Sequence, residues 1–300
     1  MKTALLLLAF LLTWSASAWG TELLVDRAEP HYSEHDIEVR QWVYLSDGLK
    51  VKGLLFTPKA SKQRKMPAVV FCHDGIGGVS KSHRRSCVRL ARSGFVVFAP
   101  SYRGEDGSDG LIEIAKGEVR DVLRAIDLLE SRPEVDSSKI AVAGASHGAL
   151  ISALAAAHDP RIKAAVLAYG VMDIYRWWEH LQATHQVGHD EITRRTYGDG
   201  PEDHPESFRI RNAVDSASKI NCPVLILQGG KDTIVPPEQA NFMKAALEAQ
   251  KKSCQVEIYP DCLHGFLVYV PYMTHDVDPK ERAQTEMSWR VFTEFLHKNL

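Results

Sequence analysis

Ile140-Ala141-Val142-Ala143-Gly144-Ala145-Ser146-His147-Gly148 decides how the rest of the chain is read. An unbroken apolar run leads straight into a serine flanked at two residues on either side by glycine, and the small residues Ala149–Ala157 follow with helical spacing. An apolar run without alternation reads as a strand buried on both faces. Strand, G-x-S-x-G and helix in succession make a nucleophile elbow, a strained turn that lifts the serine hydroxyl above the sheet and leaves no room for bulk beside it. Ser146 is therefore the candidate nucleophile. The N–H of His147 opens the following helix and is aimed where negative charge develops.

Working outward, further apolar runs without alternation occur at 68–72, 95–99, 164–169, 224–227 and, more briefly, 256–259. Helical spacing fills 79–92, 115–129, 147–157 and 238–249, and 280–300 places Trp289, Val291, Phe292 and Leu296 on one face of a closing helix. Buried strands alternating with helices indicate a mostly parallel sheet covered on both faces. Before them, Ile37–Leu45 and Leu49–Phe56 alternate around Ser46-Asp47-Gly48, which predicts an antiparallel hairpin. The region 171–220, rich in Trp, His, Tyr and charge, breaks the rhythm and reads as a helical lid over the strand ends, where such sheets bind ligands.

A serine hydroxyl needs a base, and the base needs an orienting acid. The order for this elbow is serine, acid, histidine. The run 224–227 ends in Gln228-Gly229-Gly230-Lys231-Asp232, and 256–259 in Pro260-Asp261-Cys262-Leu263-His264. Asp232 and His264 thus fall after strand ends on the edge where Ser146 emerges. Among 13 histidines, His264, His275 and His297 follow Asp232, and His297 belongs to the closing helix. A second oxyanion donor is expected from His73-Asp74-Gly75-Ile76-Gly77-Gly78, after the strand 68–72, at Gly75 or Ile76.

With these pieces in place the chain resembles the catalytic domain of the prolyl oligopeptidase family and the related dienelactone hydrolase-like esterases. The resemblance rests on Ser46-Asp47-Gly48, His73–Gly78, Tyr102-Arg103-Gly104, Gly144–Gly148, Leu227–Pro236 and His264-Gly265-Phe266. It implies an α/β-hydrolase fold and a serine hydrolase that cleaves an ester or amide without a cofactor. Two departures favour an esterase: only a short stretch precedes the hairpin, where family peptidases carry a β-propeller, and the donor loop lacks the peptidases' His-Gly-Gly-Pro. A third sets the chain apart from the dienelactone hydrolases themselves, whose usual nucleophile is cysteine where Ser146 stands here. The expected partner is a small ester or a short peptide; a catalytically silent binding protein would need a broken triad.

Other expectations concern place and pocket. Lys2, the apolar run 4–14 and Ala16-Ser17-Ala18 read as a cleavable signal peptide over 1–18, with 19–300 as one secreted or periplasmic domain and no membrane anchor after cleavage. A net charge of −2 argues against nucleic acid as a partner. Of the 5 cysteines, Cys222 and Cys254 open neighbouring strands, which makes a disulfide between them plausible. Tyr102 and Arg103 follow a strand end on the catalytic edge, so Arg103 reads as a carboxylate binder or a structural ion pair. Trp177 and Trp178 either line the substrate pocket or pack the lid on the core. His180, His185, His189 and Asp190 read as a solvated lid surface rather than a metal site.

Overall fold

The computed structural model describes residues 22–62 and 64–300, without the Lys62 side chain; the expected signal peptide at 1–18 lies outside the described residues. The described strands are β1 (Leu23–Ala28), β2 (Ile37–Ser46), β3 (Leu49–Pro58), β4 (Met66–Cys72), β5 (Val96–Pro100), β6 (Val135–Ala145), β7 (Ile162–Ala168), β8 (Val224–Gly229) and β9 (Cys254–Tyr259). They form a nine-stranded sheet in the order β1-β2-β3-β5-β4-β6-β7-β8-β9. The first three strands and β5 pair antiparallel; every pairing from β5 through β4 and β6 to β9 is parallel. The Asp47-Gly48 turn, with both φ angles positive, closes the β2–β3 hairpin as its sequence predicts. This is the α/β-hydrolase fold.

The period of two along each strand divides the core between two faces. Ala68, Val70, Ile140, Val142 and Leu167 face α2 (Gly117–Glu130), α3 (His147–His158) and α7 (Glu238–Ala249). Val69, Phe71, Ala141, Ala143 and Val166 face α1 (Lys81–Arg92) and α9 (Pro279–Asn299). Because the strands are covered on both sides, they read as solid apolar runs.

Between β7 and β8 the chain forms α4 (Ile174–Ala183), α5 (Glu191–Tyr197) and α6 (Pro205–Arg211). They hold a small core of their own, in which Ile174, Trp178, Leu181, Tyr197 and Phe208 pack with Val171 and Val235. The start of the lid is tied to α7 by Gln239, whose Oε1 accepts the N–H groups of Met172 and Asp173, both at 2.8 Å. The last short helix, α8 (Phe266–Tyr269), follows β9.

Two details differ from the sequence reading. The first is β1, a strand absent from the sequence expectations: it is an edge strand, largely exposed, specified by backbone pairing with β2 rather than by burial. The Cys222–Cys254 disulfide is corrected: both thiols are free, because the parallel register sets Val224, not Cys222, opposite Cys254. Two residues of offset shift the thiols by roughly 6–7 Å along the strands, beyond the reach of a sulfur–sulfur bond.

Candidate active site

Ser146 sits at the junction of β6 and α3 with φ 50° and ψ −117°, a backbone conformation that L-residues rarely adopt. Its N–H donates to the Ala168 carbonyl at 2.8 Å, which ties the turn to β7. The flanking glycines are steric necessities. A Cβ on Gly144 would collide with the Gly148 carbonyl, and one on Gly148 with the Cys72 carbonyl. The turn thus presses α3 against β4, and the serine hydroxyl stands at the helix N-terminus.

The loops after β8 and β9 bring two side chains to this hydroxyl. His264 Nε2 lies 3.0 Å from Ser146 Oγ, and His264 Nδ1 lies 2.7 Å from Asp232 Oδ2. Asp232 is buried, and its Oδ1 accepts the N–H groups of Ile234 (3.0 Å) and Val235 (2.8 Å). The Gln228 side-chain amide donates to its Oδ2 at 3.3 Å. The ring of Tyr169 meets the His264 ring edge-on at 5.0 Å. The lid holds the acid loop as well: Trp177 Nε1 donates to the Ile234 carbonyl (3.1 Å), and His180 Nε2 to that of Thr233 (3.0 Å). His180 is thereby committed to structure.

On the opposite side of Ser146 stands the loop after β4. The His147 ring bridges it to the segment before α2, with Nδ1 donating to the Gly75 carbonyl (3.0 Å) and Nε2 accepting the Ala115 N–H (3.0 Å). Accepting at Nε2 requires the neutral ring, in keeping with burial, which lowers its pKa. Asp74 accepts from His83 Nε2 (2.8 Å) and from the Tyr269 hydroxyl (2.5 Å), so the donor loop is tied to α1 and to the helix that follows His264. Burial raises the Asp74 carboxyl, but the bond and charge of His83 outweigh it and hold the group below the usual carboxylate range.

Beside Ser146 a cavity of about 230 Å³ opens under the lid. Its walls include Ile114, Leu150, Val171, Ile174, Trp177 and Tyr197; Gly75, Ile76 and His147 also line it, as do Ile234 and Val235 of the loop that carries Asp232. Among the described residues no Lys or Arg lines it, and Asp190 is its one acidic residue.

The dienelactone hydrolase family model matches residues 51–300. The chain belongs to that family. This hydrolase is 30% identical over 241 residues to the "Uncharacterized peptidase YtmA" of Bacillus subtilis, covering 80% of the present chain and 91% of that one. It is 29% identical over 244 residues to the "Putative carboxymethylenebutenolidase" of Salmonella typhimurium, covering 77% and 79%. Among solved structures, the Pyrococcus horikoshii acylaminoacyl peptidase superposes with a TM-score of 0.73 at 20% identity, over 88% of this hydrolase and 42% of that chain. The structure of a "Putative Dienelactone Hydrolase" from Klebsiella pneumoniae gives 0.63 at 22% identity, over 87% and 98%. At these identities the superpositions show the fold.

Three residues named from the sequence lie elsewhere in the hydrolase. For Arg103 the ion-pair alternative holds, and its reading as a substrate-binding residue is corrected. It is buried in an ion-pair network with Asp121 (2.7 Å), Asp47 (2.9 Å) and Glu113 (3.1 Å) and is not among the residues that line the cavity. Tyr102 is corrected too: at a positive φ of 51° it is fully buried, its ring tilted against that of His73 with centroids 4.3 Å apart. The tryptophans divide. Trp177 lines the cavity, whereas Trp178 fills the lid core against Tyr197 and Phe208. Sequence reasoning missed Asp74 and Arg211, which have partners distant in sequence, and Glu118, whose partners Glu113, Ile114 and Lys116 are local but lie in a turn with no sequence signature.

Proposed function

We propose that the chain is a serine hydrolase that cleaves a small ester through an acyl-enzyme on Ser146. The contiguous series Asp232–His264–Ser146, at 2.7 and 3.0 Å, carries this reading. His264 Nε2 takes the hydroxyl proton as Oγ attacks the carbonyl carbon. Asp232 holds the Nδ1–H tautomer and stabilises the imidazolium. The oxyanion receives the His147 N–H and a donor-loop N–H. Because His147 Nδ1 draws the Gly75 carbonyl to itself, the N–H on the far side of that planar peptide, belonging to Ile76, is the donor. His264 then protonates the departing alkoxide, and a water activated by the same ring releases the acid.

The cavity supports an uncharged substrate. With no cation in its walls and Asp190 at its edge, a carboxylate there would have no partner. The relative from Bacillus subtilis is named a peptidase, so amide cleavage is the second reading. We also propose that the protein is exported, on the strength of Lys2, the apolar run and Ala16-Ser17-Ala18; an intact N-terminus on the cell-derived protein would contradict that. The function is tested by comparing p-nitrophenyl butyrate with an N-acylalanine p-nitroanilide, using Ser146→Ala as control. Turnover of the ester that disappears in Ser146→Ala supports the proposal. Undiminished turnover removes Ser146 from the mechanism, and a preference for the anilide moves the enzyme to the peptidases.

A further inference from the structure

The segment between β5 and α2 holds two consecutive residues, Ile114 and Ala115, at φ 52°. A positive φ at a β-branched residue is a genuine outlier, and such a conformation persists only where its surroundings over-determine it. Here three side chains do so. The buried carboxylate of Glu118 accepts the N–H groups of Glu113 (2.6 Å), Ile114 (3.0 Å) and Lys116 (3.1 Å). His147 Nε2 accepts the remaining one, from Ala115, at 3.0 Å. From the lid, Arg211 donates Nε to the Ile114 carbonyl and Nη2 to that of Glu113, both at 2.5 Å. Every N–H from 113 to 116 therefore has a side-chain acceptor. Arg211 is itself buried and has no carboxylate in hydrogen-bond contact, so its position is spent on these carbonyls and on Ser207.

This arrangement presents the Ile114 side chain to the cavity beside Ser146. The cavity walls include Ser146, Gly75, Ile76 and His147 but not His264. A leaving-group oxygen must meet His264 Nε2, so the space on the opposite, oxyanion side belongs to the acyl group. Its volume of about 230 Å³ lies below the roughly 300–1,000 Å³ of pockets that take drug-sized ligands.

We propose that Ile114, fixed by Glu118, Arg211 and His147, is the specificity-determining residue that restricts this enzyme to short, uncharged acyl groups. The inference deepens the acyl-enzyme reading and rests on it. Ile114→Gly is the informative substitution, because glycine accepts a positive φ without strain and removes the wall while leaving the backbone bonds in place. The ratio of kcat/KM for p-nitrophenyl octanoate to that for the acetate is expected to rise by about tenfold or more, since a single methylene in an apolar pocket is worth about 10–200-fold. Ile114→Phe is expected to lower the butyrate-to-acetate ratio by a similar factor. Complete labelling of Ser146 by a small fluorophosphonate, at whatever rate, shows that each variant is folded with Ser146 reactive. Complete labelling with both ratios within about twofold of the unsubstituted enzyme overturns the role of Ile114. Failure of the unsubstituted enzyme to label at all overturns the acyl-enzyme reading instead.

Discussion

His73 Nε2 faces the Glu105 carboxyl across 3.8 Å, with both side chains closed off from solvent. His73 Nδ1 donates to the Asp74 carbonyl at 2.9 Å, which leaves a lone pair on Nε2 turned toward the carboxyl. Burial, helped by the charges of His83 and His147, lowers His73 to about 3; burial, with Glu118 and Asp106, raises Glu105 to about 8. A neutral acid thus lies against a neutral imidazole. Glu105 Oε2 also accepts the Gly78 N–H at 2.5 Å, so the pair underlies the donor loop.

The folded Glu105 keeps a proton that the unfolded chain gives up above about pH 4.5, so its contribution to stability declines as pH rises toward about 8. His73 acts oppositely: below about pH 6.5 the unfolded chain gains a proton that the fold refuses, and stability declines as pH falls toward about 3. Glu105→Gln keeps an acceptor for Gly78 and cannot ionise. It should add on the order of 2 kcal/mol at pH 8 and flatten the alkaline decline. Urea unfolding at pH 5, 7 and 9 measures this, and parallel curves for both proteins would contradict it.

Asp232→Asn tests the orienting role of the acid. Its backbone acceptor at Ile234 and Val235 can survive as the amide oxygen, so the loop should remain folded. The amide nitrogen then faces His264 Nδ1 and stabilises the wrong tautomer. Ester kcat should fall by about 10³–10⁴-fold with KM little changed, as for other triads. A loss below tenfold would show that another group orients the imidazole.

The parts legible in the sequence are those set by strand direction. In a parallel sheet every strand ends on the same edge, so Ser146, Asp232 and His264 could be named together from three strand-end loops, and the structure brings them within hydrogen-bond distance. The same rule misplaced Tyr102, because a strand-end position does not reveal the positive φ found there; for Arg103 it left a carboxylate binder and an ion pair open, and the ion pair holds. The helix read as starting at Ala115 starts at Gly117, since Ile114 and Ala115 are left-handed. Glu118 bonds residues only two to five positions before it, whereas tertiary folding brings Arg211 from the lid onto the Glu113 and Ile114 carbonyls.

Arg103→Met separates structure from binding. The substitution strands Asp121, which is fully buried and already raised by burial against the opposing Arg103 bond. The loss of stability should be about 3–5 kcal/mol, the range for breaking a buried ion pair from one side. Because Arg103 does not reach the cavity, KM for a neutral ester and for a carboxylate-bearing one should be unchanged relative to each other at a temperature where the variant stays folded. A selective rise in KM for the charged ester would restore Arg103 as a substrate-binding residue.

Ser146 stores strain for function, and two substitutions separate the strain from the chemistry. At φ 50° and ψ −117° a Cβ is disfavoured, so Ser146→Ala removes the hydroxyl and keeps the strain. Ser146→Gly removes both. Both should lose turnover, since neither retains a nucleophile. Relief of a sparsely populated backbone conformation is worth about 1–3 kcal/mol, against roughly 0.4–1 kcal/mol for the added freedom of glycine in the unfolded chain. Ser146→Gly should therefore be more stable than Ser146→Ala by about 1 kcal/mol. Thermal unfolding of the two inactive proteins side by side makes the comparison without interference from activity. Equal or reversed stabilities would mean that the elbow holds no strain at Ser146, and that its geometry comes from the packing of Gly144 and Gly148 alone.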